Sequence, residues 1–401
     1  MKKQLLVAAV VFAAVSAQAS KARLNALGNS EHIVDIQEVF QQEPDQALNY
    51  EAATVEFGGS GNTTTEAEGG FIRKMGDSAW SMYLGRSSTT FKALTDAVTG
   101  LAAAGGVSAN ADEVAVLRTA HAQSNPLQLT YASKAGEIAW GASLFYAAST
   151  ADVNATSNIA AARAFTGEVE QNIMGVLVGA NNGVWDVQLR QGITGEMKTT
   201  GAANLGSVGA LAGATELKLE STGSTKLSGG YLMDTMYFYG GYEMGTSEVT
   251  ANSTTAIDRE LTTGVLTVGV VNSHKKDGID FFYGASAVIT DNEVKNNQND
   301  TKTEITSTIV PLIVGVEAEI SSWMTLRGSL TQPLGLLSTG KTKTAAGSTE
   351  GVADSTVTAL GAGFKWGKAT IDAVVSTGSN GNFGVDNGGA ILGQASVTYN
   401  F

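Results

Sequence analysis

From residue 50 onward the chain alternates between apolar and polar positions. In Val184-Trp-Asp-Val-Gln-Leu-Arg-Gln-Gly-Ile193, Trp185, Val187, Leu189 and Ile193 share one face and Asp186, Gln188 and Arg190 the other. A period of two is that of a strand with one apolar and one wet side. The pattern recurs in Ile138, Trp140, Ala142, Leu144 and Tyr146, and in Leu217 and Leu219 against Glu216, Lys218 and Glu220. It returns in Ile279, Phe281, Tyr283, Ala285, Ala287 and Ile289 against Asp280 and Ser286, and in Ile371, Ala373 and Val375 against Asp372. A soluble sandwich would alternate in the same way, so the connections have to separate the two classes.

Short turn signals, at Gly76-Asp77, Lys134 to Gly136, Asn181 to Gly183, Asp234, His274 to Gly278, Ser321-Ser322 and Gly367-Lys368, alternate with longer polar loops. The loops fall near 59–68, 87–125, 149–166, 197–213, 251–260, 292–302, 332–353 and 379–388. Seven turns and eight loops imply about 16 strands, with both ends of the chain on the short-turn side. This predicts an all-β fold, a transmembrane antiparallel up-and-down β-barrel over 51–401 with one long, partly helical loop. The five tryptophans Trp80, Trp140, Trp185, Trp323 and Trp366 all lie within a few residues of a short turn, where an aromatic girdle would meet the membrane interface.

The start of the chain reads differently. Lys2 and Lys3 precede an apolar run of 13 residues, Leu5 to Ala17, which ends in Ala17-Gln18-Ala19. That is a secretory leader over 1–19, too short for the roughly 18 residues of a membrane-spanning helix. Its removal would leave 23 basic against 38 acidic residues, a net charge of −15, which repels nucleic acid. Cysteine is absent, Gly (48) is abundant and Pro (4) scarce, so disulfides are excluded and a strand-rich chain is expected.

Enzymatic and cofactor signals are weak. Gly335-Leu-Leu-Ser-Thr-Gly-Lys341-Thr342 fits a phosphate loop, but loop composition follows it where a helix is required, so no nucleotide is expected. With only His32, His121 and His274 and no G-x-S-x-G elbow, neither a hydrolase centre nor a tightly held metal is expected. Asp291, Glu293, Asp300 and Glu304 read as solvated loop acids open to loose Ca²⁺ binding.

A barrel of this size has a lumen too wide for wall side chains to fill. Alternation assigns Glu137, Asp186, Glu216, Glu220, Glu243, Asp280, Glu317, Glu319 and Asp372 inward, with Arg190, Lys218, Arg327 and Lys365, so the pore should lean toward cations. Two segments could narrow it. Loop 87–125 carries Phe91, Leu94, Val98 and Leu101 at helical spacing and a capped start at Asn110 to Glu113, suiting either an inward constriction or an outward cap. Residues 20–50 precede the first strand, near 51–58, as a periplasmic or lumenal segment.

The chain ends Ala395-Ser-Val-Thr-Tyr-Asn-Phe401, with Tyr399 and Phe401 on the apolar face. With the leader and hairpins, this ending resembles Gram-negative outer-membrane barrel proteins, porins among them, whose terminal aromatic is read by the barrel-assembly machinery. The arrangement is similar to the abundant porin-like proteins of predatory Gram-negative bacteria. Leu27-Gly28-Asn29, Asp35, Val39-Phe40 and Pro44 also resemble the N-terminal hatch of the long-chain fatty-acid transporter family, with Glu43 where that family has asparagine. The resemblances imply residence in outer-membrane lipid and lipopolysaccharide, a homotrimer, no cofactor, and passive diffusion of small hydrophilic solutes and ions. Rival readings are a hydrophobic-substrate transporter with 20–50 as hatch, and a non-conducting structural or adhesive barrel.

Overall fold

The computed structural model describes residues 20–57, 67–85, 126–156, 164–203, 216–252, 257–344, 347–351, 356–376 and 394–401. Sixteen antiparallel strands close into a barrel. They are β1 (Ala52–Phe57), β2 (Glu68–Met75), β3 (Ser78–Leu84), β4 (Leu127–Ala135), β5 (Ile138–Thr156), β6 (Ala164–Asn181), β7 (Trp185–Ala203) and β8 (Glu216–Met233). There follow β9 (Met236–Asn252), β10 (Ile257–Lys276), β11 (Ile279–Asn296), β15 (Ala369–Ser376) and β16 (Gln394–Asn400). Between β11 and β15, three strands run in two pieces: β12 (Thr301–Ile309 and Pro311–Ser321), β13 (Met324–Pro333 and Thr339–Thr344) and β14 (Gly347–Gly351 and Val357–Trp366). Each strand pairs with its sequence neighbours, and β16 closes on β1 from Ala52 opposite Asn400 to Phe57 opposite Ala395. Closure leaves no unpaired edge, which a sheet in lipid requires.

The alternation explains which face meets lipid. Leu129, Tyr131, Leu144, Val187, Leu189, Leu227, Tyr242, Phe281, Tyr283, Val314, Leu326, Leu360, Ile371 and Val397 point outward and are exposed, an apolar band far too large for a water-facing surface. The tryptophans collect at the short-turn rim, Trp80, Trp140, Trp323 and Trp366 exposed and Trp185 partly covered. This is a transmembrane β-barrel.

The wall is uneven in height. Strands β5 to β11 run 17–20 residues, whereas β1 to β4, β15 and β16 run 6–9. At ~3.3 Å per residue and ~40° tilt, the tall side rises ~45 Å against an apolar band ~25 Å high. Strands therefore occupy part of each stretch expected as a loop at 149–166, 197–213, 251–260 and 292–302, continuing to Thr156, Ala203, Asn252 and Asn296. Above the membrane the outward face is polar and apolar side chains such as Leu219 are buried inside, so alternation there no longer marks a lipid-facing side. Loop 87–125, with His121, and leader 1–19 lie outside the described residues.

Residues 20–50 lie inside the barrel. Helix α1 (Lys21–Ala26) is capped by Ser20, whose Oγ accepts the Arg23 N–H at 3.0 Å. Helix α2 (Ile36–Gln41) is capped by Asp35, which accepts the Gln37 N–H at 3.0 Å, and Pro44–Asn49 form a 3-10 turn. Gly28 and Asn29, at φ +68 and +51, turn the chain between the helices. Buried clusters join this segment to the wall: Ile36, Val39, Phe40, Ala47 and Tyr50 with Ile72, Ala79, Tyr83 and Ala132; Ala22 and Ala26 with Ala359 and Val374; Leu27 with Val271 and Phe282. Each large side chain so buried contributes roughly 1.5–3 kcal/mol before the cost of ordering the segment.

Candidate functional site: the occupied lumen

The wall offers polar side chains to the segment it surrounds, and these meet in an ionic cluster. Arg23 of α1 donates from Nε and a terminal nitrogen to the two oxygens of Glu317 on β12, at 2.9 and 3.1 Å. Its other nitrogen reaches Asp35 at 3.3 Å. Arg327 on β13, almost wholly buried, donates to Glu317 at 2.5 Å and to Asp372 on β15 at 2.6 Å. Such pairs hold geometry at a large desolvation cost, so removing one partner is expensive. Burial pushes the Asp35 carboxyl up to about 6 despite Arg23.

Around this centre the segment touches the wall on several sides. Lys21 pairs with Glu68 on β2, and its N–H and the Gln37 amide both donate to Glu56 on β1. Asn25 bonds Gln394 at 2.5 Å, Asn181 bonds Asp45, and Lys226 bonds Gln42 at 3.2 Å. His32 bonds Ser30 at 2.9 Å and its ring lies 4.7 Å from that of Phe282; burial lowers its pKa to about 4. Two glycines admit the backbone of the segment. A Cβ on Gly141 would lie 2.5 Å from the Pro44 oxygen and from the Asp45 nitrogen, and one on Gly361 would lie 2.5 Å from the Ala26 Cβ.

Between the segment and strands β7 to β10 a seam stays open. A space of about 80 Å³ is lined by Glu31, Gln42 and Glu43 on one side and by Asp186, Lys226, Tyr237, Tyr239 and Glu243 on the other. This exceeds the ~10–15 Å³ that one water needs. Tyr237 donates to Asp186 at 2.9 Å. Glu31 and Glu43 are both raised by burial, and Glu43 further by Glu38, Asp186 and Asp45, as expected where carboxyls outnumber cations.

Of the thirteen residues assigned to the lumen, nine lie on its wall: Asp186, Arg190, Glu243, Asp280, Glu317, Glu319, Arg327, Lys365 and Asp372. Glu317, Arg327 and Asp372 come together, Asp186 and Glu243 share the seam, and Glu319 and Lys365 sit exposed toward the short-turn rim. Four do not belong there. Glu137 occupies the two-residue turn between β4 and β5. Glu216, Lys218 and Glu220 face outward above the membrane, where Lys218 pairs with Glu196 at 3.3 Å and Glu220 at 2.7 Å, and Glu216 pairs with Lys198. The cause is a line of bulges: Ile193 and Thr222 are extra residues in β7 and β8, and each reverses the alternation beyond it. Past that line Met197 and Leu219 turn inward, joining Ile173 and Val249, and all four are buried.

Alternation in Ala52-Ala-Thr-Val-Glu-Phe57 could have revealed Glu56, and a change of parity across Gly192 to Gly195 the bulge. No alternation marks Glu31, Asp35 or Glu43 as lumenal; for Asp35 the signal was the resemblance of its stretch to an N-terminal hatch. The phosphate-loop match becomes a turn at Gly335 to Leu337 followed by a hairpin strand, Thr339–Thr344, with no helix to receive a phosphate. Among the described residues no group of three or more His, Asp or Glu side chains could hold a metal ion.

No protein-family model matches the chain, and no curated protein matches it. Among solved structures it is similar to the TodX deltaS2S3 mutant monoaromatic hydrocarbon channel, at 11% identity over 96% of this chain and 99% of that one, with a TM-score of 0.39. It is similar to the Pseudomonas putida toluene transporter TodX, at 10% identity over 95% and 96% with a TM-score of 0.37. A porin matches at 10% identity over 87% and 99%, with a TM-score of 0.34. Likeness of this size says nothing about what crosses the barrel.

Proposed function

We propose that this protein is an outer-membrane channel for small hydrophilic solutes and ions whose conductance is set by segment 20–50. The observation that carries the reading is a polar lumen wall occupied by that segment, with an open polar seam against β7 to β10 among the described residues. Glu31 and Glu43 on the segment, with Asp186 and Glu243 beside Lys226 on the wall, outnumber that lysine, so cations are favoured. The test compares wild type with a chain lacking 20–49 in a planar bilayer under a KCl gradient. Small or rare cation-selective steps in wild type, becoming large and stable in the deletion, are expected. Silence in both would remove the channel reading in favour of a structural or adhesive barrel.

A second reading, a transporter of apolar molecules with segment 20–50 as hatch, is favoured by the inward-facing Ile173, Met197, Leu219 and Val249. It requires a buried apolar fluorophore to bind the purified barrel and to be lost on Leu219→Glu, which a purely aqueous path would not show.

A further inference from the structure

Ser20 stands where the leader is read to end, directly after Ala17-Gln18-Ala19, and it is fully buried inside the barrel. Its backbone nitrogen donates to Asp35 Oδ2 at 3.1 Å, and its Oγ donates to Asp372 Oδ2 at 3.0 Å. The nitrogen thus sits at the heart of the ionic cluster. Traced through its bonds, that cluster holds three carboxylates, Asp35, Glu317 and Asp372, and two guanidinium groups, Arg23 and Arg327. It is one positive charge short of balance, and Asp35 is met by a single guanidinium nitrogen, at 3.3 Å, while burial holds its carboxyl raised. Buried charge of one sign is costly unless a partner neutralises it.

We propose that cleavage after Ala19 supplies the missing charge, so that removal of the leader and docking of segment 20–50 are coupled. Hydrolysis of the Ala19–Ser20 peptide bond by a leader-removing protease consumes one water, leaves a carboxylate on Ala19 and frees the Ser20 amine. At neutral pH that amine takes up a proton. The single N–H now bonded to Asp35 becomes an ammonium with three donors and a full charge, held against Asp35 while the Oγ of the same residue stays on Asp372. The cluster then holds three carboxylates and three cations. The uncleaved chain presents only a neutral amide at this point, so its segment docks poorly; the processed chain locks. The inference rests on the leader reading and is independent of what the barrel conducts.

The first measurement is the N-terminal residue and α-amine reactivity of the full-length protein purified from outer membranes. Ser20 is the expected first residue. Its α-amine should react with an acylating reagent at pH 7 at least tenfold more slowly in the folded barrel than in urea. A different first residue, or equal rates in the two states, overturns the proposal. The second measurement inserts one Gly between Ala19 and Ser20, which keeps the cleavage motif but carries the ammonium ~3.8 Å along the chain. Tryptic cleavage after Lys21 and Arg23 should accelerate at least tenfold. Asp35→Asn should give a similar acceleration, with little further gain when combined with the insertion. An extended chain as resistant as wild type overturns the proposal. Should that chain fail to show the heat-modifiable migration of a folded barrel, the amine measurement on wild type decides alone.

Discussion

Substituting valine for Gly141 tests whether the lumenal segment is held by shape as well as by charge. Gly141 faces inward on β5, and a Cβ there would meet the Pro44 oxygen and the Asp45 nitrogen at 2.5 Å. Both are backbone atoms, so no side chain can rotate away, and the 3-10 turn at Pro44–Asn49 must retreat by ~1 Å to reach ordinary contact. Overpacking of this kind costs about 1–3 kcal/mol, a 5- to 150-fold change in the ratio of docked to released segment. The retreat also loosens Ile36, Val39 and Phe40, which are buried against Ile72 and Tyr83 in the same cluster. Valine suits a strand, so the barrel itself should be unharmed. Ala142→Val on the lipid face is the control. The assay is limited trypsin digestion at Lys21 and Arg23, read beside single-channel conductance. Gly141→Val should be cut faster and conduct more, while Ala142→Val matches wild type. Equal resistance in all three proteins would refute the close approach of segment and wall.

Other expectations follow from the same contacts. Arg327→Met should lower the temperature at which the barrel loses its compact gel migration, since it leaves buried Asp372 without its cation and Glu317 with Arg23 alone, at a cost of about 3–5 kcal/mol; an unchanged transition would show that the cluster is not buried as described. Asp186→Asn with Glu243→Gln should move the reversal potential in a KCl gradient toward zero, and no movement would place the conducting path elsewhere. His32 bears on pH. Its pKa falls from 6.5 to about 4 on docking, so the docking stability it contributes is complete above 6.5 and is lost as pH falls toward 4. Asp35 and Asp45, both raised to about 6 by burial, act in the opposite sense, favouring the docked state as pH falls through 6 toward 4. His32→Phe isolates the imidazole: relative to wild type its segment should resist trypsin roughly tenfold better at pH 5 than at pH 7.5. A ratio independent of pH would contradict the assigned burial.

The hairpins, their number and the lipid-facing set were legible in the sequence because lipid imposes a period of two on one face of every strand. Turn residues such as Gly76-Asp77 and Gly367-Lys368 have local causes and were legible for the same reason. Where lipid ends, alternation persists at Glu216 to Glu220 but no longer says which face is outside. The rise of β5 to β11 above the membrane, and the bulges at Ile193 and Thr222 that turn Glu216, Lys218 and Glu220 outward, depend on cross-strand register that one strand cannot announce. The contents of the lumen were least legible. Glu317, Arg327 and Asp372 could be assigned inward one at a time, but their meeting with Arg23, Asp35 and Ser20 joins positions up to 352 residues apart. The sequence by itself determined a barrel with a polar interior, because alternation is a local consequence of having two solvents on two faces. Only the tertiary structure decided that residues 20–50 fill that interior, because the partners of Ser20 and Arg23, Asp372 and Glu317, lie on strands near the far end of the chain.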